Sequence, residues 1–151
     1  NLLFVLVPRD GDVFTRNTLE GVEWLTEESW QTPYSTRVDS ISNYQNTRSE
    51  ADDLVVENLI SNAAQFTDDD LALIRETALD RPALAGRLVS RQGHVTAIEV
   101  LVIKPEGSLA AVPEITLFAR DLPHRKILDY GGFKDYSYGS PMLVFQAPKN
   151  I

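Results

Sequence analysis

An α+β fold is what this 151-residue sequence predicts, and three observations predict it. The run Leu2–Val7 is apolar throughout, as a strand buried on both faces should be. Two segments, one after Thr15 and one after Pro113, repeat apolar residues at helical spacing and stop at proline. Between them, "GRLVSRQGHVTAIEVLVIKP" (residues 86–105) places two β-rich runs around a glycine-containing turn. The length suits one domain, residues 1–151, with a core large enough to need no crosslinks. Cysteine is absent, which excludes disulfides and thiolate metal sites.

Taken in order, the first strand ends at Pro8-Arg9-Asp10-Gly11-Asp12, which is turn chemistry. Thr15 is a good N-cap, and Leu19, Val22, Leu25 or Thr26, and Trp30 share one face of a helix that Pro33 closes. Val38, Ile41 and Tyr44 suggest a short second strand. "QNTRSEADD" reads as polar loop, and Leu54, Val55, Leu59 and Ile60 as a short helix. In "TDDDLALIRETAL", Thr67 caps a clearer helix whose first turn holds Asp68, Asp69 and Asp70, with Leu71, Ile74 and Ala78 as its buried stripe. Leu88-Val89-Ser90 then turns through residues 91–94 into a long strand, Val95 to Ile103. A helix from Val112 or Pro113 to Leu122 follows, with Ile115, Phe118, Ala119 and Leu122 inward. Aromatic residues at Tyr130, Phe133, Tyr136 and Tyr138, followed by Met142–Phe145, suggest a last strand.

With residues 45–94 set aside, the order is strand, helix, strand, strand, helix, strand. That is the ferredoxin-like split β-α-β with two packed helices. The segment 45–94 is an insertion between the second and third core strands, adding a helix and a hairpin arm.

Charge narrows the function. The net charge is −8. Residues 1–66 hold 11 acidic and 4 basic side chains, and residues 67–151 hold 11 and 10. A surface of this sign repels phosphate backbones, so nucleic acid is not an expected partner. The longest apolar runs fall far short of the roughly 20 residues that span a bilayer as a helix, and the basic flank of a signal peptide is missing.

No motif assembles a catalytic, cofactor or metal site. Counted from Asp10, a calcium-loop template fails at Phe14 and Gly21. The carboxylates of residues 68–70 are explained by the helix dipole. His94 and His124 lie in no ligand-pairing spacing, and Ser140 in "YGSPM" lacks the second glycine of a nucleophile elbow. The glycines are dispersed, without phosphate-loop spacing.

Several blocks together resemble a known family. "LLFVLVPRDGDVFT", "VDSISNYQNTRSEADDLVVENLI", "LAGRLVSRQGHVTAIEVLVIKP", "VPEITLFARDL" and "YGSP" are similar, in this order, to the first large extracytoplasmic segment of RND-superfamily exporters, in the MMPL/patched-like hydrophobe/amphiphile efflux branch. The likeness spans roughly residues 2–122. It implies a soluble porter-type domain on the periplasmic side of a bacterial inner membrane, belonging to a proton-driven transporter of hydrophobic or lipid-like substrates. It also accounts for a sequence that opens inside a strand, since a membrane helix would precede Leu2. The implied partners are the transmembrane helices and second extracytoplasmic repeat of the same parent chain, which could itself be a homo-oligomer. The implied role is to shape the substrate path without chemistry or cofactor, with Trp24, Trp30, Phe66, Tyr130 and Phe133 as candidates for lining it. Two alternatives stand beside this reading: a stand-alone ferredoxin-like module binding a small ligand, and a small hydrolase using Ser90 or Ser140 with His94.

Overall fold

The computed structural model describes residues 1–8, 10–122, 134–138 and 142–146, the last two segments as backbone. The fold is α+β. A five-stranded sheet has the order β2-β5-β1-β7-β6, from β1 (Leu2–Val7), β2 (Ser35–Asp39), β5 (Thr96–Val102), β6 (Lys134–Tyr138) and β7 (Met142–Gln146). β1 is its centre, antiparallel to β5 and parallel to β7. The single last strand expected at 142–145 is β7, and β6 pairs along its outer edge as a hairpin partner.

Register decides which residues are core. Because side chains alternate along a strand, Leu2, Phe4 and Leu6 share one face with Ile98, Val100 and Val38, and all six are buried. Helix α1 (Arg16–Ser29) covers that face through Leu19, Val22 and Leu25. It starts where expected: Thr15 is extended, and its hydroxyl accepts from the Thr18 N–H at 3.3 Å. It ends at Ser29, so Trp30 falls outside the buried stripe. Helix α3 (Ala111–Asp121) adds Ile115 and Ala119 to the same core, followed by Leu122.

The "VDSISNY" block is a hydrogen-bonded corner. Thr26 and Ser40 share a buried hydroxyl contact of 2.7 Å, and the Asn43 amide donates to Val38 O while its carbonyl accepts from Ser40 N. Ile41 is fully buried at the bend. These polar residues satisfy backbone groups that a buried bend would otherwise orphan.

Two expectations for residues 45–94 need correction. Residues 45–58 form neither a loop nor a helix, but a two-stranded antiparallel ribbon, β3 (Gln45–Glu50) and β4 (Asp53–Asn58). The four residues read as a helical stripe do not share a face: Leu54 is exposed on the ribbon, Val55 points to its other side, and Leu59 and Ile60 lie at its base against the core. Its base is tied to the core by Leu59 N–H to Tyr44 O and Ile60 N–H to Ser42 O. The second correction concerns the arm preceding β5. Leu88–Ser90 makes only a short bridge to β5, because the chain turns back at Gly86, whose φ is +76°.

Helix α2 (Asp68–Asp80) carries the full capping box: Thr67 Oγ1 accepts from Asp70 N, and Asp70 accepts from Thr67 N. Ile74 and Ala78 join the core. Among the described residues, no helix is long and apolar enough to cross a membrane.

Candidate functional site

The sheet face turned away from α1 carries the second set of alternating residues. Along β1 these are Leu3, Val5 and Val7, all partly exposed, so the strand is apolar on both faces. Val5 stands opposite Ala97 of β5, and Leu3 opposite Glu99. Toward β2 the face becomes charged. Asp39 lies directly across from Glu99, a like-charge pairing that is unfavourable by itself. Arg37 relieves it by pairing with Asp39 at 2.8 Å, and the Asn1 side-chain amide donates to Glu99 at 3.0 Å.

Where β2 ends, the segment from Gly86 takes its place beside the start of β5. Leu88 O accepts from Ala97 N at 2.9 Å and from Thr96 Oγ1 at 2.7 Å. The outer surface of this junction is an open cleft of about 370 Å³, lined by residues 86–92 and 95–97. The cleft is shallow and open to solvent along the surface of the junction. Ala97 belongs both to the cleft and to the face that bears Val5, so the apolar strip of β1 runs into the cleft.

The turn that shapes the cleft is held from behind. Arg75 of α2 donates to Gln92 O at 3.2 Å, approaches Asp12 at 3.5 Å, and lies 5.5 Å over the Phe14 ring. Val13 N–H donates to Gly93 O at 2.9 Å. Gly93 is required here: a Cβ on it would come within 2.9 Å of Arg75 and 3.1 Å of Phe14, and its φ is +73°. Thus α2, the loop after β1 and the turn before β5 form one locked unit. Asp10 and Asp12 close that loop by accepting from the backbone N–H groups of Asp12 and Phe14.

Two arginines without a carboxylate partner among the described residues lie together on the cleft. Arg16, Arg37, Arg48, Arg75 and Arg81 each pair with a carboxylate. Arg87 and Arg91, both exposed and both lining the cleft, have no carboxylate partner among the described residues. Arg91 folds across Gly86, where an added Cβ would meet its Nε at 3.0 Å. Elsewhere, the Tyr34 phenol donates to Glu114 at 2.8 Å, and that hydrogen bond, followed by burial and the carboxylate charge, pushes its pKa up.

The aromatic candidates do not converge. Trp24 and Phe66 are partly buried against the core, Trp30 is 48% exposed at the end of α1, and Tyr130 and Phe133 lie outside the described residues. Neither Trp24, Trp30 nor Phe66 lines the cleft. Ser90 Oγ accepts from the backbone N–H groups of His94 and Val95, which gives it a turn-closing role. Ser140 and His124 lie outside the described residues. Among those described, no group of three His, Asp or Glu side chains could hold a metal.

Arg87 and Arg91 escape motif reading because they belong to no named pattern. A signal for them exists nonetheless. Residues 81–98 contain three arginines, one histidine and no carboxylate, and form the longest acid-free stretch of an acidic chain. No protein-family profile, curated protein or solved structure that was compared with the chain matches it.

Proposed function

We propose that this chain is the extracytoplasmic, porter-type domain of a proton-driven RND-superfamily exporter of hydrophobic or lipid-like substrates, in the MMPL/patched-like branch. The observation that carries the reading is the central strand. β1 is apolar on both faces, and two β-α units interleave around it, β1-α1-β2 and β5-α3, to give the order β2-β5-β1. This supports a ferredoxin-like split β-α-β with an insertion at 45–94. One feature departs from that pattern. A crossover from β5 through α3 should deliver a strand parallel to β5, and that strand is β6; β7 then turns back between β6 and β1 and runs parallel to β1.

In this reading the domain sits on the periplasmic side of a bacterial inner membrane. It shapes part of the substrate path and moves against a second extracytoplasmic repeat. It performs no chemistry and binds no cofactor, and proton-coupling carboxylates belong to transmembrane helices of the parent, outside this sequence. The test is the gene sequence on either side. Apolar runs of about 20 residues before Asn1 and after Ile151 are expected. A start codon directly before Asn1 and a stop directly after Ile151 would overturn the reading. The second reading, a stand-alone small-ligand-binding module, is favoured by the 370 Å³ cleft and would then lead.

A further inference from the structure

We infer that the cleft beside β5 is a headgroup site for a single-chain anionic amphiphile, with Arg87 and Arg91 holding its carboxylate or phosphate and the apolar strip of β1 taking its chain. Three observations carry this. First, on a chain of net charge −8, two exposed arginines with no carboxylate partner among the described residues line the same cleft. Guanidinium groups match carboxylate and phosphate geometry with paired N–H donors, so two of them on one cleft present a recognition surface for such a group. Second, the cleft is mixed: Val95 and Ala97 stand beside Arg87, Ser90, Arg91 and Gln92. A small hydrophilic anion would leave that apolar wall in water. Third, the wall continues through Ala97 to Val5 and along β1, giving a hydrocarbon chain a partly exposed apolar strip on which to lie.

The surrounding charge sharpens selectivity. Asp39 and Glu99 border the face toward β2, so a headgroup displaced from the arginines in that direction meets carboxylates. The turn that bears Arg91 is fixed by Arg75 and Gly93, so the ligand need not order it. The inference rests on the transporter reading only for its physiological setting; the site itself is a property of this chain.

The experiment is calorimetric titration of the 151-residue chain with dodecyl phosphate, held below its critical micelle concentration. Dodecyl maltoside and inorganic phosphate are the comparison ligands. Saturable binding of dodecyl phosphate is expected, with both comparison ligands weaker by roughly tenfold or more: dodecyl maltoside loses the charge-assisted contact, and inorganic phosphate leaves the apolar strip uncovered. The exposed pair Arg87→Gln/Arg91→Gln should fold as the parent does by circular dichroism and lose the preference for dodecyl phosphate over dodecyl maltoside. Arg87→Lys/Arg91→Lys should retain part of it. Equal affinity for the neutral and anionic amphiphiles, equal affinity for inorganic phosphate, an unchanged double-Gln variant, or no binding at all would each overturn the inference. Membrane spans beside the gene without this binding would sink the headgroup site alone; binding without the spans would sink the transporter reading alone.

Discussion

Phe4 and Leu54 are both apolar residues in β-strands, yet one is fully buried and the other 74% exposed. Phe4 lies in β1, flanked by two strands and covered by α1. Leu54 lies in β4, whose only strand partner among the described residues is β3. The contrast shows two ways of holding a strand. The central sheet is held by burial, roughly 25 cal/mol for each Å² of apolar surface removed from water. The ribbon is held by its hydrogen-bond ladder and by Arg48, which pairs with Glu57 at 2.8 Å and Glu50 at 3.4 Å. Exposed ion pairs contribute little, and an isolated two-stranded hairpin is marginal in water. The ribbon therefore depends on its base, where Ile60 is buried and Tyr44 and Leu59 pack on the core.

Mutations can break or sharpen this contrast. The largest effect is expected for Phe4→Ala, a loss of about 3–5 kcal/mol, read by urea denaturation; a loss under 1 kcal/mol would mean that β1 is not the core strand. Next comes Ile60→Ala, at about 2–4 kcal/mol. If the base anchors the ribbon, amide exchange in residues 45–58 should rise more than in β5. Smaller and of opposite sign is Ala51→Gly. Ala51 sits at the ribbon turn with φ +54°, so glycine should relieve strain and stabilise the ribbon by up to about 1 kcal/mol, seen as slower exchange there.

Leu54→Ser should shift global stability by less than about 0.5 kcal/mol; a larger loss in denaturation would mean that the ribbon face is covered. The smallest effect belongs to Tyr34→Phe and appears as a pH dependence. The folded-state pKa of Tyr34 is raised, so its contribution is complete below the ordinary value of 10.0 and is lost as pH rises through the higher value. The variant should lack that alkaline step in a stability–pH profile.

Legibility in the sequence followed the same division. Thr15, Thr67 and the Asp68–Asp70 turn marked helix starts correctly because capping is local chemistry. β1 was legible because apolarity on both faces has few other causes. The ribbon was not. Nearly every residue from Gln45 to Asn58 is exposed, so no buried/exposed alternation is written there, and its turn uses Ala51-Asp52 in place of Asn-Gly or a glycine. The cleft was missed for a different reason. Its residues are chosen by what does not pair with them, and an absent partner is a spatial fact. The acid-free run 81–98 hinted at it; the aromatic residues, whose burial is decided by packing, did not.

The position of β1 has a consequence for biosynthesis. Of the strands in its sheet it is made first, yet its antiparallel partner lies near residue 100 and its parallel partner near residue 144. At synthesis rates of about 5–20 residues per second, the most apolar hexapeptide of the chain waits roughly 5–20 seconds for β5. Until then its backbone N–H and C=O groups are open to any other strand. Nascent chains of this protein should therefore engage chaperones through residues 2–7, and do so until β5 has left the ribosome.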